Sequence, residues 1–282
     1  MQTFTSIKAM QDWCKEQKRA GQTIGLVPTM GYLHQGHMAL VGEARRNCDK
    51  VVVSIFVNPI QFGVGEDYED YPRDLEKDSR MLEQGGADAL FAPAVKEMYP
   101  PGYSTFVEVE GEISAKLCAR SRPGHFRGVT TVVSKLFQIC LPDQAFFGQK
   151  DAQQVMIIEK MVRELNFPLR IVRVPIVREE DGLALSSRNV YLSPEQRQQA
   201  LVLNQALQLA RETIQAGERD PAQVQALLVR TISASPGAEV VYAEIYDAAD
   251  LTDVEQITKP VLIALAVKFG TTRLIDNLIV EV

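Results

Sequence analysis

The chain predicts an α/β fold: a Rossmann-like, doubly wound parallel sheet followed by a second, smaller α+β domain. Three observations carry this reading. Continuous apolar runs, such as Val51-Val52-Val53-Ser54-Ile55-Phe56-Val57, alternate with amphipathic helical patterns over the first 177 residues. Runs of that kind belong to strands covered on both faces. Beyond Val190 the texture changes to Ala/Leu/Gln-rich helices, and the chain closes on three apparent strands. The last two of these flank Gly270-Thr271-Thr272 and suggest a hairpin.

Taken in order, Ile7, Met10, Trp13 and Cys14 fall at helical spacing among Lys and Gln, so an amphipathic helix opens the chain and Gly21 ends it. A buried strand follows over 23–27, a helix over 34–46, and a second buried strand over 51–57 that Asn58-Pro59 terminates. A helix over 74–84 closes at Gly85-Gly86, and a short strand covers 89–91. The alternation resumes with a helix at 129–139, a strand at 145–147, a helix at 153–165 and a strand at 169–177. Ser193-Pro194-Glu195-Gln196 is a helix start, with Ser as N-cap, Pro at N1 and Gln at N3. Helices extend to about 216 and over 221–232, and strands over 240–246, 261–267 and 273–280. The domains are accordingly 1–177 and 178–282.

The chain carries 30 basic and 36 acidic residues, a net charge of −6, which argues against general nucleic-acid binding. No apolar run has the form of a signal peptide or the length of a bilayer span, so no membrane association is expected. Cys14, Cys48, Cys118 and Cys140 show no metal-ligand spacing and read as reduced thiols of a cytoplasmic protein.

The most informative run is Pro28-Thr29-Met30-Gly31-Tyr32-Leu33-His34-Gln35-Gly36-His37, where a strand hands over to a helix. Such a corner offers backbone N–H groups and the positive end of a helix dipole to an anion, and two of the three histidines sit there. A metal reading lacks a third ligand and an activating Glu. Four further sets lie at strand ends or between the domains: Asn58 with Gln61; Arg122 to Gly128; Gly148-Gln149-Lys150-Asp151 with Gln154; and Ser186-Ser187-Arg188-Asn189. Each alone also reads as an ordinary turn, loop or capped helix start. Their joint occurrence points to a site that holds phosphates and a second small anion.

These motifs resemble those of the pantoate–β-alanine ligase family over essentially the whole chain. They are Pro28-Thr29-Met30-Gly31…His34-x-Gly36-His37, Ser54-Ile55-Phe56-Val57-Asn58-Pro59…Gln61-Phe62, Tyr71-Pro72-Arg73, Arg122-Pro123-Gly124-His125-Phe126-Arg127-Gly128, Phe147-Gly148-x-Lys150-Asp151…Gln154 and Leu185-Ser186-Ser187-Arg188-Asn189. The His-x-Gly-His signature is shared with a wider nucleotidyltransferase superfamily. The resemblance implies an ATP-dependent ligase with two half-reactions: pantoate attacks the α-phosphate of ATP to give an acyl adenylate and pyrophosphate, and β-alanine then displaces AMP.

It further implies an ATP site lined by Met30, Gly31, Tyr32, Leu33, His34, Gln35, Gly36 and His37, with Gly148, Gln149, Lys150, Asp151 and Val177 toward adenosine. Ser186, Ser187, Arg188 and Asn189 would clamp the triphosphate, with the C-terminal domain as a lid. Gln61, Gln154, Asn58 and Arg122 would hold pantoate and β-alanine. His37, as proton donor, and His34, Lys150 and Arg188 form the implied catalytic set. Mg²⁺ would bridge the phosphates, and a homodimer is expected. One departure is Lys77, at a position acidic in some relatives. Asp78 is therefore the single carboxylate expected toward the metal, with Mg²⁺ held mainly by ATP.

Two other functions compete. A nucleotidyltransferase would stop at a nucleotide-linked product, and a nucleotide sensor would bind without turnover. A dinucleotide oxidoreductase is disfavoured because no Gly-x-Gly-x-x-Gly follows the first strand.

Overall fold

The computed structural model describes all 282 residues. The apolar runs become strands wherever helices can cover both their faces. Six of them, β1 (Gln2–Phe4), β2 (Ile24–Thr29), β3 (Lys50–Ile55), β4 (Ala89–Phe91), β5 (Gln144–Gly148) and β6 (Arg170–Val174), form one parallel sheet in the order β1-β4-β3-β2-β5-β6. From β2 the chain works outward through β3 to β4, then returns to add β5 and β6 on the other side. The order reverses at the β2–β5 boundary, and open parallel sheets bind ligands at such a switch point, beyond the strands' carboxyl ends. β2 ends at Thr29, so its carboxyl end leads straight into the histidine corner.

The helices of this part are α1 (Ile7–Arg19), α2 (Gln35–Asn47), α3 (Leu75–Gln84), the short α4 (Val95–Met98) and α5 (Cys118–Ser121), α6 (His125–Cys140) and α7 (Ala152–Glu164). Leu40, Val41 and Ala44 on α2 and Leu82 on α3 pack with Val27, Val51, Val53, Leu90 and Phe146 of the strands. The expected strand and helix types hold, but the strand expected over 169–177 ends at Val174, the one-turn α4 and α5 were not expected, and two further differences stand out. A three-residue edge strand, β1, precedes the first helix; so short a run, burying only part of Phe4, leaves no periodic signal. α6 starts at His125, earlier than the apolar spacing predicts, because Gly124 (φ +78°) turns the chain sharply just before it.

In the C-terminal region α8 (Pro194–Gln199) begins with the expected capping box: Ser193 and Gln196 each accept from the other's backbone N–H. α9 (Val202–Gln215) and α10 (Pro221–Ser233) pack on an antiparallel sheet ordered β7 (Ala238–Asp247), β8 (Val261–Phe269), β9 (Thr272–Val280). Their core joins Leu203, Leu207, Ile214, Val224, Leu228 and Ile232 with Ile263, Leu265 and Val267. The expected hairpin is a two-residue turn, Gly270-Thr271, between the paired Phe269 and Thr272.

The chain divides into two compact units. The first is Met1–Glu110, Cys118–Gln149 and Gln153–Pro175; the second is Gly111–Leu117, Lys150–Ala152 and Ile176–Val282. No helix is long and apolar enough to cross a membrane.

Candidate active site

The histidine corner is built from its own hydrogen bonds. His34 is the N-cap of α2, and its Nδ1 accepts from the Gly36 amide at 3.1 Å. His37, at N3, reaches back so that its Nδ1 accepts from the His34 amide at 3.3 Å. The result is a capping box made of two imidazoles, whose ring centroids lie 4.1 Å apart. Because both Nδ1 atoms accept, the neutral rings carry their proton on Nε2. Each ring therefore presents an N–H donor on its far side, a form suited to phosphate oxygens.

The amides just before the corner are also taken, which changes the expectation of open N–H groups there. Gly31 N donates to Thr29 Oγ1, Tyr32 N to Asp78 Oδ2 and Leu33 N to Asp78 Oδ1, the last two at 2.7 Å. Gly31 (φ +83°) and Tyr32 (φ +51°) are both left-handed, the turn that aims two consecutive amides at one carboxylate. A Cβ on Gly31 would stand 2.9 Å from Ile55 Cγ2 and 3.0 Å from Asp78 Oδ2, so glycine also lets the turn approach. Asp78 is 1% exposed. Burial pushes its carboxyl above the usual value, and the Leu33 and Tyr32 amides pull it back. Lys77, the unexpected cation, lies over the Tyr32 ring at 4.9 Å.

Next to this corner stands a set of amides. Gln61 Nε2 contacts Met30 Sδ at 3.1 Å, and its Oε1 accepts from Asn58 Nδ2 at 3.0 Å. Asn58 also donates to the Gly128 carbonyl and accepts from the Tyr99 hydroxyl at 2.8 Å. Gly128 is the reason α6 fits here. A Cβ there would come within 2.5 Å of the Ile60 carbonyl oxygen and 2.6 Å of Gln61 Cα. Arg122 is engaged by Glu66, to which Nε donates at 2.7 Å, and by His125 Nε2 at 3.1 Å; His125 Nδ1 in turn meets the Gln61 carbonyl at 2.8 Å. Burial opposes the Glu66 charge, but the Arg122 hydrogen bonds outweigh it and hold the carboxyl below its usual value.

The first unit therefore brings Met30, Asn58, Gln61 and Arg122 into one connected set, beside the turn that carries His34 and His37. Gly148 ends β5 with open space around its Cα, Gln149 opens a one-turn 3₁₀ helix, and Gln154 lies half-buried on α7. Tyr99 and Glu66 escape sequence reasoning because both lie in irregular segments, where no periodicity marks a partner.

The second unit places the remaining candidates. The Lys150 carbonyl accepts from Asn277 Nδ2 at 2.9 Å, and Asp151 closes the 3₁₀ turn. The Val177 carbonyl accepts from Leu185 N, so its backbone forms the root of a short loop. Ser186 caps the 3₁₀ helix Ser187–Tyr191, its Oγ accepting from Arg188 N at 3.3 Å. Asn189 Nδ2 donates to the Ala184 carbonyl at 3.1 Å and to Glu179 Oε1 at 3.4 Å, and Glu179 is paired with Arg197 at 2.6 Å. Asp276, buried on β9, makes a bidentate pair with Arg178. Asp276-Asn277 was a readable signal: two adjacent polar residues inside an apolar strand need partners.

A family model described as pantoate-beta-alanine ligase matches residues 2–279. A pantothenate synthetase of Syntrophomonas wolfei is 66% identical over the full length of both chains, and one of Heliobacterium modesticaldum is 58% identical over the same span. Among solved structures, pantothenate synthetase from Thermus thermophilus superposes with a TM-score of 0.92 at 47% identity, covering 99% of each chain. Pantoate-beta-alanine ligase from Francisella tularensis, solved with beta-gamma ATP and beta-alanine, gives 0.83 at 36% identity, over 99% of this chain and 97% of that one.

Proposed function

The chain belongs to the pantoate–β-alanine ligase family, and from that premise we propose that it condenses pantoate with β-alanine at the expense of ATP, each site residue having a defined role. One observation carries the assignment: the whole chain, not the nucleotide signature alone, matches the family. A nucleotidyltransferase shares only the His-x-Gly-His corner and is not favoured.

The chemistry needs two anions held together. A pantoate carboxylate oxygen bonds to the α-phosphorus as the bond to the bridging oxygen of pyrophosphate breaks. The amine of β-alanine then attacks the acyl carbon, AMP leaves, and the amine nitrogen loses a proton. No nucleophile from the protein enters either step, so positioning and charge stabilisation carry the rate. His34 and His37 supply Nε2–H donors to the phosphates, His37 to the oxygen that leaves. Lys150 and Ser186 to Arg188 bear on the triphosphate, and Asn189 steadies that segment. Met30 to Leu33, Gln35 and Gly36 shape the nucleotide wall, joined by Gly148, Gln149, Asp151 and Val177. Gln61, Asn58 and Gln154 hold pantoate, and Gln61 also reaches β-alanine. The Glu66 pair keeps Arg122 in place for the second anion.

The residues present do not fit a protein-held Mg²⁺. Both Asp78 oxygens already accept amides in a buried setting, Lys77 stands beside it, and no three His, Cys, Asp or Glu side chains cluster at metal distance. Mg²⁺ belongs to this reading as part of the bound ATP, and no step above depends on it. A cytoplasmic homodimer is part of the same proposal.

AMP release measured with ATP, pantoate and β-alanine, omitting each in turn, tests the assignment. AMP should form only when all three are present. AMP formed without an amine overturns it.

A further inference from the structure

We infer that Asp78 is a positioning residue for the nucleotide corner and not a metal ligand: its carboxylate, rather than a phosphate, is the anion that the Tyr32 and Leu33 amides bind. Two consecutive left-handed residues, Gly31 and Tyr32, turn these amides to the same side, the backbone arrangement that elsewhere binds phosphate. Here the concavity is already filled, by a side chain 45 residues away on α3. Both bonds are 2.7 Å long and charge-assisted, and Asp78 is shut off from water. Tyr32 gives up the ordinary backbone region to make them, a conformation that is strained for a non-glycine residue.

The turn needs such an anchor because it aims the start of α2. Leu33 is 2% exposed and sets the entry to His34, whose two hydrogen bonds with the α2 terminus fix both imidazoles. Without the carboxylate, two amides lose their partners in a dry site, and the strained turn has nothing to hold it. Lys77 on the same helix reinforces the clamp through the Tyr32 ring. The first turn of α3 thus works as a brace for the histidine corner. The inference rests on the reading of residues 30–37 as the ATP wall.

Steady-state kinetics of D78A and D78N, with an Mg²⁺ titration of each, tests it. D78A should lose about a hundredfold in kcat/KM for ATP, the cost typical of a displacement of roughly 1 Å. D78N, which keeps one acceptor, should lose about tenfold. The KM for β-alanine should stay within twofold of wild type in both, and the Mg²⁺ requirement should not move. Wild-type kinetics in both variants overturn the inference, as does an equal loss toward every substrate, which marks a merely structural role. Rescue of D78N by raised Mg²⁺ also overturns it, in favour of a metal ligand.

If D78A does not fold, D78N and amide exchange in the nucleotide-free wild-type enzyme decide the matter. Tyr32 and Leu33 should exchange slowly, and exchange at unprotected rates overturns the clamp. Failure of wild-type AMP release would instead sink the ATP assignment and leave the exchange result standing.

Discussion

Two segments that the proposed function sets against the triphosphate are each held by a carboxylate, and they are held differently. In the histidine corner, Asp78 is buried and takes two backbone amides directly. In the segment 186–189, Glu179 is about one-third exposed, is shared with Arg197, and reaches only the Asn189 side chain, at 3.4 Å. One anchor fixes main chain in a dry setting; the other steadies a side chain near water. Hydrogen bonds strengthen as solvent is excluded, so the first segment is held more firmly than the second. On the proposed reading, the residues that act on the transition state sit on the firmly held segment, and those that clamp the triphosphate on the more loosely held one.

This contrast can be broken most decisively at the histidines. His37→Ala should lower kcat by about 10²–10⁴ while leaving the KM for ATP within a few-fold, because its donor matters as charge develops on the leaving oxygen. Arg188→Ala should do the opposite and raise the KM for ATP about tenfold, with a smaller effect on kcat. If the two variants show the same split, the distinction between the segments fails.

A second pressure point is Gly128. Its replacement by Ala forces a methyl against the main chain of Ile60 and Gln61, so the amide pair must shift. We expect a loss of about 1–3 kcal/mol in stability, read by denaturant unfolding, and a raised KM for pantoate. A variant of wild-type stability and affinity would show that this part of the first unit is less rigid than its packing says.

Smaller effects sharpen the comparison. Glu179→Ala should cost no more than about 1 kcal/mol and raise the KM for ATP only a few-fold, since the pair it removes is partly solvated. The gentlest test is acid. The folded Glu66 carboxyl lies below its usual value, so its contribution is present above the unfolded value and fades as pH falls through the folded one. Between about pH 5 and pH 3 the wild-type melting temperature should fall more steeply than that of Glu66→Gln. Parallel curves would show that the Arg122 pair adds nothing to stability.

Most of the fold was readable because its signals are local. Strands β2, β3, β5 and β8 are apolar on both faces, and the Ser193 capping box marks α8 to the residue. β1 was not, being three residues long and paired to β4 far along the chain. In the site, His34 and His37 announce themselves by spacing and by the strand that precedes them. The use of their Nδ1 atoms as caps does not, since the same spacing serves an open helix end. Asp78 was singled out in the sequence as a carboxylate expected toward a metal, but not as an internal anchor. Its partners lie on the far side of helix α2 and strand β3, and only the fold brings them together. The Glu66–Arg122–His125 chain is hidden for the same reason.

The strand order also governs how the protein is made. During synthesis β2, β3 and β4 emerge in succession and can pair at once, but the free flank of β2 waits for β5, more than a hundred residues behind. Until then Ile24, Leu26 and Val27, all fully buried in the finished protein, lie along an open parallel edge. Unpaired apolar edges recruit other strands. The nascent first half is thus the sticky form of this enzyme, and arrival of residues 144–148 is the moment at which the flank of β2 is covered.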